Sequence, residues 1–155
     1  MGKNILVTGG NGFIGRHLIT YLKKLNHNIS NLGSTPIDDI SFFKLHDPIN
    51  FNDIENAILL SRPEIIFHLA AQPIISKSYE KPKYTYEVNS LGTLNIMETI
   101  KDIKFVKSVV LVTSDKCYES NNSTIGFSEN DKLGGVDPYS GSKAAAEIIV
   151  NTYYQ

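Results

Sequence analysis

The stretch Thr8-Gly9-Gly10-Asn11-Gly12-Phe13-Ile14-Gly15, written TGGNGFIG, decides the fold that this sequence predicts. It follows a short apolar run, a first predicted β-strand at residues 4–8, and precedes a segment with helical periodicity. Glycines at such a junction allow a tight turn and the close approach of a pyrophosphate to the N–H groups of the helix N-terminus. An ordinary glycine-rich turn is the less favoured alternative. The pattern therefore predicts a dinucleotide site contacted by Gly9, Gly12, Phe13, Ile14 and Gly15.

Outward from this turn, short aliphatic runs alternate with helical segments, which predicts an α/β fold with a parallel sheet. Four more strands are predicted, at residues 27–33, 42–45, 65–69 and 108–114, with the last buried on both faces. Right-handed crossovers and a doubly wound Rossmann-type sheet predict the strand order 3-2-1-4-5, with the ligand crevice between strands one and four.

Helices are predicted to cover both faces of this sheet. The first carries an apolar stripe expected to face the sheet, formed by Ile14, Leu18, Tyr21, Leu22 and Leu25. Further helices are predicted at residues 53–60, opened by Asn52, at 83–100, and from an Asp137 cap and Pro138 to the C-terminus. Residues 119–136 show no clear period and are expected to form a loop beside the carboxyl ends of the strands.

Composition narrows the functional classes. The 155 residues suit one domain, residues 1–155, and a net charge of -1 gives no electrostatic reason to expect nucleic acid or an anionic membrane surface as a partner. No apolar run approaches the roughly 20 residues that cross a bilayer. The single cysteine, Cys117, excludes an internal disulfide framework, and the scattered histidines show no zinc-ligand spacing. These features favour a cytoplasmic protein without a structural metal.

The choice between NAD and NADP is open at this stage. An acidic residue roughly 20 positions beyond the glycines would hold the adenosine ribose of NAD. The sequence Asn31-Leu32-Gly33-Ser34-Thr35 offers neither that carboxylate nor an arginine for a 2′-phosphate. Asp47 is a candidate for the adenine end, and a turn role in Asp47-Pro48 is about as well supported.

A second constellation places a phenol and an amine on one face of the last helix. Tyr139 and Lys143 stand one turn apart in Tyr139-Ser140-Gly141-Ser142-Lys143. A tyrosine has an ordinary pKa of about 10, and a neighbouring cation favours its phenolate. A solvated helix face would explain such a pair alone, but together with the glycine turn it indicates acid/base chemistry on an alcohol. Ser114-Asp115-Lys116 follows strand five, either as further active-site groups or as a solvent-facing ion pair.

These motifs resemble the extended branch of the short-chain dehydrogenase/reductase superfamily, as do His68-Leu69-Ala70-Ala71-Gln72, Asn89-Ser90-Leu91-Gly92-Thr93 and Thr113-Ser114-Asp115. Within the branch, the segments HLAAQPII, TSDKCYE and ENDKLGGVDPYSGSKAAAE are most similar to CDP-glucose 4,6-dehydratases. The resemblance implies bound NAD passing beside Leu69, Ala70 and Ala71 and contacting Tyr139 and Lys143. It also implies that Asn89 helps to fix the active-site helix.

The resemblance further implies a reaction on a nucleotide sugar such as CDP-glucose. Tyr139 would take the C4 hydroxyl proton, helped by Lys143, while Ser114 bonds the same oxygen. Asp115 would protonate the departing C6 hydroxyl. Lys116 stands where dTDP-glucose relatives carry a glutamate thought to take the C5 proton, and it could do so only if partly neutral, through burial or nearby cations.

Two other functions stay open. An epimerase or reductase would use Tyr139 and Lys143 without needing Asp115 and Lys116 for elimination. A non-catalytic NAD(P)-binding module would need neither of these two pairs for catalysis. The extended branch usually carries a C-terminal substrate portion that this chain lacks, so the chain is expected to be the N-terminal part of a longer architecture, a natural truncation, or one piece completed by another polypeptide. Homodimerisation is expected through the helices near 83–100 and 138–154.

Overall fold

The computed structural model describes residues 2–119 and 126–154 and contains a five-stranded sheet in the order β3-β2-β1-β4-β5. Every strand pair in it is parallel, so the predicted doubly wound topology is confirmed. The strands are β1 at Asn4–Thr8, β2 at Asn28–Gly33, β3 at Ser41–Lys44, β4 at Ile65–His68 and β5 at Ser108–Leu111.

Six α-helices accompany the sheet in the part of the chain that is described. They are α1 at Phe13–Lys24, α2 at Phe51–Ser61, α3 at Ile75–Glu80, α4 at Pro82–Tyr86, α5 at Gly92–Ile100 and α6 at Pro138–Tyr153. A π-helical turn, Glu87–Leu91, joins α4 to α5, and a 3₁₀ turn covers Asp115–Cys117. Within residues 2–119 and 126–154, no helix combines the length and apolar character needed to span a bilayer.

The contacts divide the chain into two compact units. The sheet unit comprises Met1–Ala70 and Asn95–Val112, and the helical unit comprises Ala71–Leu94 and Thr113–Gln155. Alternate residues of β1 serve two apolar clusters in the sheet unit, because successive side chains of a strand point to opposite faces. Leu6 joins a cluster with residues of α2 and α5, whereas Ile5 and Val7 join one with residues of α1.

The apolar stripe predicted for α1 is confirmed at Leu22 and wrong at Ile14 and Tyr21. Leu22 and Ile19, which was not in the predicted stripe, are 6% and 3% exposed, whereas Ile14 and Tyr21 are 56% and 60% exposed. The cause is Gly15, because a Cβ built there would lie 2.5 Å from the Gly9 carbonyl oxygen. This close approach turns the Gly15 side of α1 inward, and residues one and two turns later follow it.

Other differences lie at the ends and edges of elements. The cap of α2 is Asn50 rather than Asn52, since the Asn50 side chain accepts a hydrogen bond from the Asp53 N–H. Strand β5 ends at Leu111, and Val110 is 41% exposed, so burial on both faces is wrong. It is the last strand in the described sheet order, where fewer neighbours cover a strand. Helix α3 was not predicted because its six residues show no apolar period, and the predicted helix at 83–100 contains the π turn.

Candidate functional site

The glycine turn brings the carboxyl ends of β1 and β4 together. Gly9 has φ 71°, and its N–H donates to the Leu32 carbonyl at 3.1 Å. A Cβ on Gly9 would lie 2.8 Å from the Ala70 nitrogen and 3.0 Å from the Leu69 carbonyl carbon. Glycine is therefore required at this position for both its backbone conformation and the space it leaves. The structure thus places Leu69 and Ala70 against the turn, where strands one and four adjoin.

The N-terminus of α1 has the features of an anion site. Its cap residue is Gly12, which offers no side chain to the free N–H groups, and the first turn carries no acidic residue. Phe13 is 82% exposed at this end, and a Cβ on Gly12 would meet just the Gly9 carbonyl oxygen, at 3.2 Å. Uncapped N–H groups and the helix dipole favour a negatively charged ligand. The turn therefore fits the pyrophosphate of a dinucleotide.

Asn31 holds this turn in place and was not predicted to have a role. It is completely buried, and its Oδ1 accepts a hydrogen bond from the Gly10 N–H at 3.0 Å. Its Nδ2 donates to the Asn11 Oδ1 at 3.2 Å. The signal for this role was an amide next to the apolar Leu32 at the end of β2, since a buried amide needs local partners.

The structure places Asp47 in a local turn. Its side chain is exposed, its Oδ1 accepts from the Ile49 N–H at 3.0 Å, and its carbonyl accepts from the Asn50 N–H at 2.9 Å. This is the turn geometry expected of an Asp-Pro segment. A role at the adenine stays a prediction.

All five predicted catalytic residues lie in the helical unit. Tyr139 and Lys143 occupy the first turns of α6, and the 3₁₀ turn with Asp115 and Lys116 packs against that helix. Tyr139 is half-buried, whereas Lys143 is 5% exposed. Burial lowers the pKa of Lys143, and the nearby Glu147 carboxylate acts in the opposite direction. The same-face spacing was predictable, but the depth of the lysine was not.

A buried polar network fixes the segment between the tyrosine and the lysine. Asn89, in the π-helical turn, donates to the Ser142 hydroxyl at 2.9 Å, and that hydroxyl donates to the Tyr139 carbonyl at 2.7 Å. Ser90 donates to the Ser142 carbonyl at 2.9 Å. The π turn thus holds Ser142 by its side chain and by its main chain, which orients the first turns of α6.

Gln72 completes this network and was not assigned a role from the sequence. Its N–H donates to the Asn89 Oδ1 at 2.8 Å, and its carbonyl accepts from the Asn89 Nδ2 at 3.1 Å. Its Nε2 donates to the Thr85 hydroxyl at 3.0 Å. These bonds connect the segment that begins with Ala71 to α4 and the π turn. The signal available in the sequence was the amide side chain in each of the segments HLAAQ and NSLGT.

Ser114, Asp115 and Lys116 form one hydrogen-bonded turn. The Ser114 hydroxyl donates to the Asp115 Oδ1 at 3.1 Å and accepts from the Lys116 N–H at 3.2 Å. Asp115 and Lys116 are exposed. The burial that a lysine base would need is therefore not provided by the described residues, and the Lys116 charge acts on the Asp137 carboxylate in the same pocket.

A pocket of about 140 Å³ opens beside this turn within the helical unit. Its polar lining includes Asp115, Lys116 and Asp137, and its apolar wall includes Phe127, which stacks on Tyr118 at 5.3 Å between ring centroids. The pocket lies partly on the segment predicted as a loop, residues 119–136, of which 120–125 are outside the described residues. The two carboxylates and the amine in its lining offer hydrogen bonds to a small polar ligand.

Asp137 caps α6 at the edge of this pocket. Its Oδ1 accepts from the Ser140 N–H at 2.9 Å and its Oδ2 from the Ser140 hydroxyl at 2.6 Å. Burial acts to raise the pKa of this carboxyl, but the Ser140 hydrogen bonds, the Tyr139 N–H and the Lys116 charge together hold the pKa below its ordinary value.

Asp137→Ala is expected to reduce the free energy of unfolding by about 1 kcal/mol at neutral pH, the usual effect of losing a helix cap. Since the folded-state pKa lies below 3.8, this stabilisation is complete above that value and is lost as the pH falls through the folded pKa. Urea denaturation of both proteins between neutral and acidic pH measures the difference. Asp137→Ser keeps a capping oxygen and should remain close to wild type; equal losses in both variants would count against the cap.

The chain is similar in sequence to nucleotide-sugar dehydratases over nearly its whole length. A sequence model of the family described as GDP-mannose 4,6 dehydratase matches residues 6–155. The CDP-glucose 4,6-dehydratase of Salmonella typhimurium is 36% identical, over 98% of this chain and 45% of that protein. The dTDP-D-glucose 4,6-dehydratase of Dictyostelium discoideum is 35% identical, over 99% of this chain and 41% of that protein.

Solved structures agree with the fold. The crystal structure of the Thermus thermophilus UDP-glucose 4-epimerase, a complex with NAD, matches with a TM-score of 0.85 at 30% identity. The match covers 96% of this chain and 50% of the epimerase chain. The chain therefore spans about half the length of the relatives it matches.

Proposed function

The chain belongs to the GDP-mannose 4,6-dehydratase family, in the NAD-dependent epimerase/dehydratase branch of the short-chain dehydrogenases/reductases, and from this premise we propose that it serves a nucleotide-sugar 4,6-dehydratase acting on CDP-glucose. The observation that carries the proposal is the packing of the Ser114-Asp115-Lys116 turn against the helix that holds Tyr139 and Lys143. The residues proposed for oxidation, Tyr139 and Lys143, and those proposed for elimination, Asp115 and Lys116, then lie in one unit.

NAD supplies the hydride acceptor that takes hydrogen from the sugar C4 and returns it to C6. The glycine turn would hold its pyrophosphate, because the N–H groups at the start of α1 have no side-chain cap. Gly9 and Gly15 keep the turn closed, and Leu69 and Ala70 line its edge. In the helical unit, Ala71, Asn89, Tyr139 and Lys143 are the residues proposed to contact NAD.

In the oxidation step, Tyr139 removes the proton of the C4 hydroxyl while the hydrogen bound to C4 leaves as hydride. The Lys143 ammonium, one turn along α6, stabilises the phenolate that this requires. The Ser114 hydroxyl bonds the same substrate oxygen; to do so it exchanges its present bond to Asp115. The polar network at Ser142 fixes the helical turn that separates Tyr139 from Lys143.

In the elimination step, the new C4 ketone makes the C5 proton acidic. Asp115, which the bound substrate would have to bury so that it carries a proton, gives this proton to the C6 hydroxyl, which departs as water, while a base removes the C5 proton. Lys116 is the residue proposed as this base, by its place in the family pattern. Its exposure means that the bound substrate would have to bury it before it could act.

A C4 epimerase is the second candidate, supported by the similarity to the Thermus epimerase. That reaction uses Tyr139 and Lys143 but has no elimination, so Asp115 and Lys116 would be surface residues, in agreement with their exposure. A non-catalytic cofactor module, which would use the glycine turn without the residues of the helical unit, is the third candidate.

The three candidates are separated by the mass of the sugar and by its configuration at C4 after incubation. The natively expressed protein, at whatever length its reading frame encodes, is incubated with CDP-glucose and, in parallel, with UDP-glucose and dTDP-glucose. The proposal expects a product lighter by one water, with CDP-glucose the preferred substrate. A product of unchanged mass with inverted C4 favours the epimerase, and NAD binding without turnover favours the module.

The proposal includes a homodimer and a cytoplasmic location. The helices expected at the dimer interface expose Leu91 and Ile148, at 42% and 54%, whereas Ala144 and Ala146 are buried within the chain. The exposed pair, rather than the alanines, would contact a second copy. The free Cys117 suits a reducing compartment.

A further inference from the structure

Glu147 lies on α6 one turn beyond Lys143, and its carboxylate is held from outside the helix. The Thr113 hydroxyl, just after β5, donates a hydrogen bond to the Glu147 Oε1. Residues four apart on a helix share a face, so Glu147 and Lys143 point to the same side. The carboxylate is therefore placed beside the lysine and tied to the segment that leads into Ser114.

The setting of Lys143 calls for such a group. The side chain is 5% exposed, and a buried ammonium is costly unless a negative charge compensates it. Burial lowers the pKa of Lys143, and Glu147 is the charged group that raises it.

We propose that Glu147 is a positioning residue that keeps the buried Lys143 ammonium charged, and that the Thr113 hydroxyl holds Glu147 in this place. The consequence for catalysis rests on the proposed function, in which Lys143 must be charged to stabilise the Tyr139 phenolate. The effect of Glu147 on the charge of Lys143 does not depend on which reaction the protein catalyses.

The other groups around Glu147 leave its charge available to the lysine. From the 3₁₀ turn and its end come Cys117 and Tyr118; burial, aided by the Glu147 charge, raises the pKa of each, so both are neutral at pH 7. The same turn carries Asp115 and Lys116, which are exposed. The charged residues of α4 and the π turn, Lys83 and Glu87, pair with each other at 3.5 Å.

The test measures the titration of the Lys143 amine in this chain by ¹⁵Nζ NMR with labelled lysine, and Lys143→Arg assigns the signal. Glu147→Gln is expected to lower the titration midpoint by about 1 pH unit, the lower end of the effect of a neighbouring opposite charge. Thr113→Val should lower it by less, and Glu147→Asp should restore most of the wild-type value. Backbone amide spectra check that each variant folds.

Equal midpoints in wild type and Glu147→Gln would overturn the inference. If Glu147→Gln does not fold, Thr113→Val decides, and an unchanged midpoint there overturns it. The outcome is independent of the proposed reaction: a shifted midpoint in a protein without dehydratase activity removes the proposed function alone, and an unshifted midpoint in an active dehydratase removes this inference alone.

Discussion

Tyr139→Phe is expected to reduce turnover of CDP-glucose by about 10²- to 10⁴-fold, the usual contribution of a general acid/base group. Phenylalanine keeps the ring that packs at the start of α6 and removes just the hydroxyl that would take the C4 proton. The fold should therefore change little, and the affinity for NAD should fall far less than turnover, because just one of the proposed NAD contacts is lost. Steady-state kinetics of the natively expressed protein and calorimetric titration with NAD measure the two effects separately.

The matched control for this variant is Tyr154→Phe, which removes the same hydroxyl from a residue that is 88% exposed after the end of α6. It should turn over like wild type. A Tyr139→Phe protein that keeps more than a tenth of the wild-type rate would contradict the assigned role, whatever the control does.

Gly9→Ala is expected to cost about 3 kcal/mol or more of folding stability and to abolish measurable NAD binding. A left-handed backbone alone costs a residue with a Cβ roughly 1–2 kcal/mol, and Gly9 has φ 71°. The added methyl would also lie 2.8 Å from the Ala70 nitrogen, so β1 and β4 would have to separate. Urea denaturation and NAD calorimetry on the chain measure both losses.

Gly126→Ala is the control for this change, because a Cβ there meets none of the described residues within 4 Å. Its stability should stay within about 0.5 kcal/mol of wild type. If Gly9→Ala were as stable as this control and still bound NAD, the geometry assigned to the glycine turn would be wrong.

The topology was predictable because it depends on features that are local in sequence. The apolar runs of β1 and β4 and the glycine turn between β1 and α1 are visible in the sequence, and the handedness of crossovers then restricts the strand order. The cap at Asp137 is likewise local, since its side chain bonds residues in the next turn.

What could not be predicted depends on contacts between distant residues. The inward face of α1 is set by Gly15 meeting Gly9, and the role of Asn31 depends on the Gly10 N–H reaching it from another segment. Periodicity alone cannot supply either contact.

The candidate site shows the same division. The spacing of Tyr139 and Lys143 predicted that they share a face, but the burial of Lys143 and the approach of Thr113 to Glu147 arise from packing within the helical unit. The polar network through Gln72 joins separate segments, so its polar residues were visible in the sequence but their bonds to one another were not.

The central claim is that one set of residues oxidises C4 and eliminates water across C5 and C6. The most direct test uses CDP-glucose carrying deuterium at C4 with the natively expressed protein and follows the label by NMR and mass spectrometry. The account predicts that the deuterium is found at C6 of a 4-keto-6-deoxy product. Deuterium retained at C4 of an inverted sugar, or lost from the sugar altogether, would contradict it.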